Sequence, residues 1–431
     1  MLFKKINNFL LSLFVFSLPF TAFSVFQIGE KDIIFSWFLV FLLGLLNIKR
    51  FKKIDKRLTF LLFILFLWWI FLFLSVVKTS FLNEDIYQKE FTQLFNILIM
   101  MIHLPILYVV FRNKKFSEIK KIINVLLFST FLLVFYSFYQ YFSYFVNFLP
   151  KVDFFRNATI YGIYRGSGMG GWSGTYRTCS VAPEPTFWAS YLLIPISFLI
   201  PYLFSFRKFW IKKILFLLFF LSLVLTFGRS GWIGFALMLL IVPLVLKISP
   251  KLKFCYFMIT LILITFTFGG IIGNYLKIPI FSDSSFAQRL YAQLSAFEIF
   301  STNPILGVGF GNFQNFAENY FISKPYFSFL VTHNFYLRIL AETGMLGFLI
   351  FLLFLGFLFR EALRGKLMTK QIKNKEIERF VQGLELSFFS ILIVWVFGSG
   401  YNFSYIWFIF ALILVSPQIL FETIKQYENS N

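Results

Sequence analysis

The chain contains two histidines, and one of them stands where a general base would be useful. His333 directly precedes Asn334 and an apolar run that begins at Phe335, so we expect it at the N-terminus of a helix. The positive end of the helix dipole disfavours imidazolium, and a neutral imidazole can accept a proton from a hydroxyl group. A structural alternative stays open, since residues at this place also cap helices. His103 lies inside an apolar run beside Pro105, and packing is the favoured interpretation there.

Two arginines have the surroundings of anion-binding residues. Arg229 lies between glycines in the turn 228–231, where backbone amides can approach an anion closely. Its planar guanidinium group matches the geometry of a phosphate, although a snorkelling arginine at the membrane surface would look the same. Arg289 lies in a later polar segment, followed by the glycine-rich string 303–312. We expect this string to form a tight loop that offers amides to an anion.

Glu184 and Arg177 form a further candidate pair. Glu184 stands between two prolines at the start of an apolar run, and Arg177 lies shortly before it. A carboxylate here can bind an acceptor or take part in catalysis, and Arg177 can pair with it. Ordinary helix-entry chemistry is the competing interpretation of Glu184. Two polar neighbours of the candidate arginine and histidine complete the set of expected substrate contacts: Ser230 and Asn334.

Several common chemistries lack their residues. No Asp-x-Asp pair occurs, so the usual divalent-metal site for sugar-nucleotide donors is missing. No His/Cys cluster indicates zinc, and the strings typical of ATP hydrolysis and of serine hydrolases are absent. The two cysteines, Cys179 and Cys255, cannot form a disulfide framework. We therefore expect no metal ion and no cofactor.

The composition excludes a soluble globular enzyme. Hydrophobic residues make up 59% of the chain and charged residues 14%, whereas a soluble domain carries roughly 25% charged residues. The apolar runs are continuous rather than alternating, and a lipid environment then requires helices. We expect an all-α polytopic membrane protein with about twelve transmembrane helices, forming a single transmembrane domain over residues 1–431. The expected spans are 9–27, 33–48, 59–77, 91–111, 122–148, 186–205, 211–227, 231–247, 254–274, 336–359, 383–398 and 402–421.

The positions of lysine and arginine predict the orientation. Basic islands follow the even-numbered spans throughout the chain, and the positive-inside rule then places both termini in the cytoplasm. The net charge of +21 is explained by these islands and by anionic lipids, so we expect a membrane-lipid partner and no nucleic acid. Two longer loops, 149–185 and 275–335, would face the outer, periplasmic side. Because long loops are usually functional, chemistry is expected there, with the second loop carrying active-site residues.

These motifs together resemble the O-antigen ligase and polymerase superfamily of bacterial membrane glycosyltransferases. His333-Asn334, nine further residues and then Gly344-Met345-Leu346-Gly347 look like its signature. Arg229 and the segment from Arg289 through Asn303-Pro304 to Gly307-Val308-Gly309 resemble its other marks. The similarity covers roughly residues 180–350, and the joint pattern is more specific than any of its parts.

The resemblance implies a metal-independent transferase in the bacterial inner membrane. Its donor would be an oligosaccharide linked to undecaprenyl diphosphate, and its acceptor a glycan or a lipid-linked glycan. Arg229 and Arg289 would bind the diphosphate, and His333 would activate the acceptor hydroxyl, giving inversion at the anomeric carbon. The orientation rule agrees independently, because it places all three residues on one face of the membrane.

The acceptor decides between the functions that the family offers. Glu184-Pro185 with the small Ala189 resembles polymerases more than ligases, so the leading hypothesis is a polymerase of O-antigen or exopolysaccharide. The second is a ligase that transfers finished glycan to lipid A core, to another lipid or to a protein. A transporter or flippase for lipid-linked sugars is the third, although we find no similarity between the two halves of the chain. Whether a partner protein regulates chain length is left open.

Overall fold

The structure, a computed structural model, is mostly helical. It describes residues 2–28, 31–52, 54–80, 87–146, 168–169, 176–204, 209–246, 258, 261, 284–317, 331–372, 374–398 and 400–428. The ninth expected span, 254–274, therefore lies almost entirely outside the described residues, as does most of the first expected outer loop.

Thirteen α-helices are numbered here in the described part of the chain. They are α1 (Leu2–Ser17), α2 (Phe35–Leu46), α3 (Lys56–Ser80), α4 (Tyr87–Phe111), α5 (Phe116–Phe145), α6 (Pro185–Leu203), α7 (Trp210–Leu225), α8 (Arg229–Val245), α9 (Ser284–Thr302), α10 (Phe313–Ala317), α11 (Phe335–Thr369), α12 (Lys375–Phe397) and α13 (Ser404–Glu428). A short 3-10 helix, Ile48–Lys52, joins α2 to the segment before α3.

Seven of the described helices are long and apolar enough to cross a membrane: α3, α4, α5, α6, α11, α12 and α13. Shorter apolar helices at α2 and α8 add to the apolar bundle. The expectation of a helical membrane protein is confirmed at this level. The count of twelve spans, the membrane in which the protein resides and the orientation of its termini stay predictions.

Two short antiparallel hairpins interrupt the expected all-helical pattern. Strands β1 (Ser24–Ile28) and β2 (Lys31–Ile34) pair with each other, and β3 (Gly168–Met169) pairs with β4 (Tyr176–Arg177). The first hairpin makes the expected span 9–27 wrong in its bounds, because α1 ends at Ser17. Pro19 explains the early end, since a proline disfavours helix at the residue before it and lacks the amide that the helix needs.

The second expected outer loop, 275–335, is largely helical where it is described. Helix α9 occupies Ser284–Thr302, and α10 occupies Phe313–Ala317. The expectation of an irregular loop overlooked the small residues Ala292 and Ala296, which are fully buried on one face of α9. A polar, weakly hydrophobic helix can form here because this face packs against α11.

The main core holds the helices that carry the site. Helices α6 and α13 are the most deeply buried of the described spans, with 78% and 89% of their most apolar windows inside the protein. Large aromatic side chains fill the space between them and α11 and α12, including Trp188, Trp395 and Trp407. A helix buried on all sides has little freedom to shift, so the N-terminus of α6 is a fixed point for the site.

Candidate functional site

The N-termini of α6 and α8 lie against each other and carry two of the predicted residues. Glu184 is the N-cap residue of α6, and Arg229 is the first residue of α8. A Cβ atom built at Gly228, the N-cap of α8, would lie 3.7 Å from the carbonyl oxygen of Pro185. The two helix starts are therefore in contact, and the positive ends of both helix dipoles meet at the same place.

Close packing between α6 and α8 holds this arrangement. A Cβ atom built at Gly231 would lie only 2.4 Å from the Cβ atom of Ala189, so a larger residue would force the helices apart. Ser230, at the second position of α8, is 8% exposed. It has little free surface, and its predicted contact with a substrate stays a prediction.

Arg177 is fixed by the end of the first long segment. Its Nε donates to the carbonyl oxygen of Thr226 at 3.2 Å, directly before the start of α8. The next residue, Thr178, donates its amide to the carbonyl of Leu225 at 3.1 Å. Gln140 of α5 then holds Ser180 from both sides, accepting from its amide at 2.8 Å and donating to its carbonyl at 2.9 Å. This segment is therefore anchored to α5 and α7.

Helices α9 and α11 share a small apolar interface. They run in the same direction, because Arg289 near the start of α9 acts on His333 and Pro304 after its end accepts from the amide of Met345. Ala292, Ala296 and Ile299 of α9 are buried with Ala341 of α11. Arg289 lies one turn before Ala292 on the same face, because residues three apart are neighbours on a helix. Arg289 therefore stands beside the N-terminus of α11.

The glycine-rich string after α9 inserts into a break in helix α11. Gly344 adopts φ 65° and ψ −168°, which interrupts the helix. The amide of Met345 donates to the carbonyl of Pro304 at 2.8 Å, and the amides of Val308 and Gly309 donate to the carbonyls of Ala341 and Glu342 at 3.1 and 2.9 Å. The segment 304–309 thus replaces hydrogen bonds that the broken helix cannot form within itself.

This insertion corrects part of the expectation that the string 303–312 offers its amides to an anion. The amides of Val308 and Gly309 are bound to α11, and that of Gly307 is bound to the carbonyl of Asn303 at 3.1 Å. None of these three donors is free for a ligand. The string connects α9 to α11 and so determines where Arg289 lies relative to the start of α11.

His333 and Asn334 have separate roles at the start of α11. Asn334 is the N-cap residue, and its side-chain oxygen accepts from the amide of Leu337 at 3.1 Å. The cap alternative therefore applies to Asn334 and not to the imidazole of His333. His333 has a positive φ of 49°, a conformation that residues other than glycine seldom adopt and that clusters at functional sites. The cap uses the side-chain oxygen of Asn334. Its side-chain nitrogen is therefore the atom for the predicted substrate contact, which stays a prediction.

The imidazole of His333 is neutral at pH 7. The pKa of His333 is lowered from 6.5 to about 4. Burial is the main cause, and the neighbouring positive charge of Arg289 is the second. From the sequence, the helix dipole was expected to disfavour the protonated imidazole. In the structure, burial and the charge of Arg289 are the causes of the lowered pKa. The nitrogen lone pair needed by a general base is present in either case.

The three candidate arginines lie close enough to interact electrostatically. The pKa of Arg289 is lowered, mainly by burial and then by the charges of Arg229 and Arg177. The charge of Glu184 acts in the opposite direction and raises it. Arg177 likewise interacts with Glu184 and Arg229. Among the described residues no salt bridge neutralises any of the three arginines. Arg177, Arg229 and Arg289 therefore lie near one another and near Glu184, and His333 lies beside Arg289, so positive charge is in excess there.

A buried ion pair in α11 was not among the predicted site residues. Arg338 donates through Nε to both carboxylate oxygens of Glu342 at 3.1 Å, and Glu342 also accepts from the amide of Phe313 at 3.3 Å. The guanidinium group of Arg338 lies over the rings of Phe310 and Tyr401. A signal in the sequence could have identified this pair: an arginine and a glutamate lie four residues apart within a predicted span, where ionisable residues are rare.

Part of the chain matches a known protein family. Residues 214–352 match the family model described as O-antigen ligase, and no curated protein matches the chain. The matched stretch includes Arg229, Arg289, His333 and the broken part of α11. Arg177 and Glu184 precede it, although the structure places them at the same site.

Proposed function

We propose that this protein is a glycosyltransferase acting on lipid-linked glycan at the outer face of the membrane. The match of residues 214–352 to the family model described as O-antigen ligase supports the proposal. One observation carries the proposal. Segments that are far apart in sequence bring Arg177, Arg229 and Arg289 within electrostatic range of one another, and Arg289 within range of His333. This is the arrangement that a transferase needs for an anionic leaving group and a hydroxyl nucleophile.

The arginines are suited to the diphosphate of an undecaprenyl-diphosphate-linked donor. Guanidinium groups bind phosphate oxygens in a bidentate manner, and the N-termini of α6 and α8 add the positive ends of two helix dipoles. Charge-assisted hydrogen bonds contribute about 1.5–3 kcal/mol each. Arg229 and Arg289 together can therefore stabilise the charge that develops on the leaving diphosphate, without a metal ion.

His333 is proposed to activate the acceptor hydroxyl. The acceptor oxygen attacks the anomeric carbon of the donor, and the bond from that carbon to the phosphate oxygen breaks. The bonding electrons leave with the diphosphate, and the hydroxyl proton passes to the imidazole of His333. Attack opposite the leaving group inverts the anomeric configuration.

Donor binding would improve His333 as a base. The positive charge of Arg289 contributes to the low pKa of His333. A bound diphosphate offsets that charge, so the pKa of His333 rises toward its ordinary value when the donor is in place. The base then approaches the pKa range in which general-base catalysis is efficient at neutral pH.

We propose polymerisation as the leading reaction, with glycan on a second lipid carrier as acceptor. Glu184 lies beside the arginines at the start of α6, where a carboxylate can bind acceptor hydroxyl groups. The description of the matching family favours the second candidate, a ligase that moves glycan to lipid A core or another acceptor. Both reactions use the same donor site, and the acceptor distinguishes them.

Reconstitution tests the proposal. The full chain is placed in liposomes with undecaprenyl-diphosphate-linked repeat units, and the products are separated by length. We expect longer lipid-linked chains from repeat units alone if the protein is a polymerase. A ligase would form product only after a second acceptor such as lipid A core is added. Movement of the donor across the bilayer without a new glycosidic bond would contradict the enzyme assignment and favour a transporter.

A further inference from the structure

An apolar groove lies between α3 and α11, away from the candidate site. Its floor on α11 is formed by Leu349, Leu352, Leu353 and Gly356, and Phe60 of α3 borders it. The groove has a volume of about 480 Å3 and is open to the surroundings. A Cβ atom built at Gly356 would meet nothing within 4 Å. The missing side chain therefore leaves a notch in the surface of α11.

A cluster of arginines closes one end of the groove. Arg360 lines the groove, and its guanidinium group lies 4.9 Å from the ring centre of Phe357. Glu361 is fully buried and binds Arg360 at 3.1 Å, Arg364 at 2.7 Å and Arg57 of α3 at 3.7 Å. Three arginines therefore surround one carboxylate, and the excess positive charge is held at the end of the groove.

The length of the groove matches one leaflet of a bilayer. From Leu349 to Arg360 the axis of α11 rises about 16 Å, at 1.5 Å per residue. Half of the hydrocarbon core is about 15 Å thick. Arg360 belongs to the basic island that the positive-inside rule assigns to the cytoplasmic face. The groove therefore extends from near the middle of the membrane to that face.

We propose that this groove is a binding site for an anionic phospholipid of the cytoplasmic leaflet. One acyl chain lies along Leu349, Leu352 and Leu353 and crosses the notch at Gly356. The phosphate group binds Arg360 and Arg364, whose guanidinium groups Glu361 holds in place. Basic pockets between membrane helices on the cytoplasmic side are a recognised setting for anionic headgroups.

The site is independent of the proposed glycan chemistry. The groove begins at Leu349, after the break of α11 at Gly344, whereas His333 precedes the helix on the other side of that break. The groove also combines a long apolar floor with an arginine cluster, which suits an amphipathic lipid better than a soluble anion. A second copy of the chain is the other occupant that an apolar groove of this kind could accept, and the test distinguishes it.

Native mass spectrometry tests the proposal. The full chain is placed in nanodiscs of phosphatidylcholine containing a minor fraction of phosphatidylglycerol and is then released into mild detergent. We expect the wild-type protein to retain one phosphatidylglycerol. Gly356→Leu should abolish this retention by filling the notch, whereas Gly356→Ala should leave most of it. Arg360→Ala should weaken it about fivefold, in proportion to one basic residue near the surface.

Two controls make the outcome decisive. Lys370→Ala removes an exposed positive charge directly after the same helix, outside the groove, and should retain the lipid. Free glycerol phosphate should not displace the lipid, because it lacks the acyl chain. Equal retention of phosphatidylcholine, or of phosphatidylglycerol in Gly356→Leu, would overturn the proposal. A dimer that Gly356→Leu dissociates without any change in bound lipid would overturn it in favour of a second copy of the chain.

Discussion

Gly307 and Gly344 interlock the string after α9 with the broken helix α11. A Cβ atom built at Gly307 would lie 2.4 Å from the carbonyl carbon of Glu342, and one at Gly344 would lie 2.3 Å from the carbonyl oxygen of Ile305. Both glycines have positive φ, 66° and 65°. Each segment therefore has room for the backbone of the other only because both residues lack a side chain. This contact sets the position of Arg289, on α9, relative to His333.

Gly344→Ala should lower the thermal stability of the protein. It should also lower product formation by more than it lowers the amount of protein expressed. The new side chain collides with Ile305, and a positive φ costs a residue with a Cβ atom about 1–3 kcal/mol. Displacement of the string then moves Arg289 away from His333, so we expect at least a tenfold loss of product formation by folded protein. Thermal unfolding and product formation are measured together.

Gly356→Ala is the matched control for Gly344→Ala, because it adds the same methyl group to the same helix where nothing lies within 4 Å. It should retain stability and activity. Full activity and an unchanged melting temperature in Gly344→Ala would contradict the proposed role of the interlocked glycines.

Glu342→Gln should be strongly destabilising. It removes the charge that pairs with Arg338 and weakens the acceptor for the amide of Phe313, and breaking a buried ion pair typically costs about 3–5 kcal/mol. Glu376→Gln is the control, because Glu376 pairs with Lys120 on the surface. Exposed pairs contribute less than about 1 kcal/mol. Denaturant or thermal unfolding in detergent measures both, and similar melting temperatures for the two variants would show that the buried pair does not hold α11 to the string.

Arg289→Gln should raise the pKa of His333. The charge of Arg289 lowers that pKa, so its removal moves the value up from about 4, although burial keeps it below 6.5. The chain has only two histidines, so NMR of histidine-labelled protein gives two titrating signals at most. His103 serves as the internal reference. An unchanged titration of His333 would mean that Arg289 does not lie beside it.

Undecaprenyl diphosphate without sugar should also raise the pKa of His333 in the wild-type protein. The diphosphate would offset the arginine charges without permitting transfer. The same histidine NMR experiment measures the shift, and undecaprenol, which lacks the diphosphate, is the control that should leave the pKa unchanged. The same pKa of His333 with and without the diphosphate would contradict the proposal that the arginines bind the donor.

The residue types and helix termini of the site were predictable from the sequence. His333 before an apolar run indicated a helix N-terminus, and the structure begins a helix two residues later, at Phe335. Arg229 was expected in a turn, and the structure makes it the first residue of α8. The resemblance to the O-antigen ligase and polymerase superfamily is confirmed by the match over residues 214–352.

Local sequence patterns did not predict how the string 303–312 packs against α11. Glycine spacing suggested amides directed at an anion, yet the amides of Val308 and Gly309 bind a helix that is distant in sequence. The same limit applies to α9, which has little hydrophobic character and forms because of its contact with α11. Tertiary packing decided both cases, and neither hydropathy nor turn chemistry contains that information.

Glycan assembly by His333→Ala tests the central claim most directly. The variant is compared with His103→Ala, which removes the only other histidine, and both are checked for equal amounts of folded protein in the membrane. The account predicts a loss of about 10²–10⁴-fold in product formation for His333→Ala, the usual contribution of a general base, and near-normal product for His103→Ala. Normal product from His333→Ala would contradict the assignment of His333 as the base, with Glu184 the next residue to test.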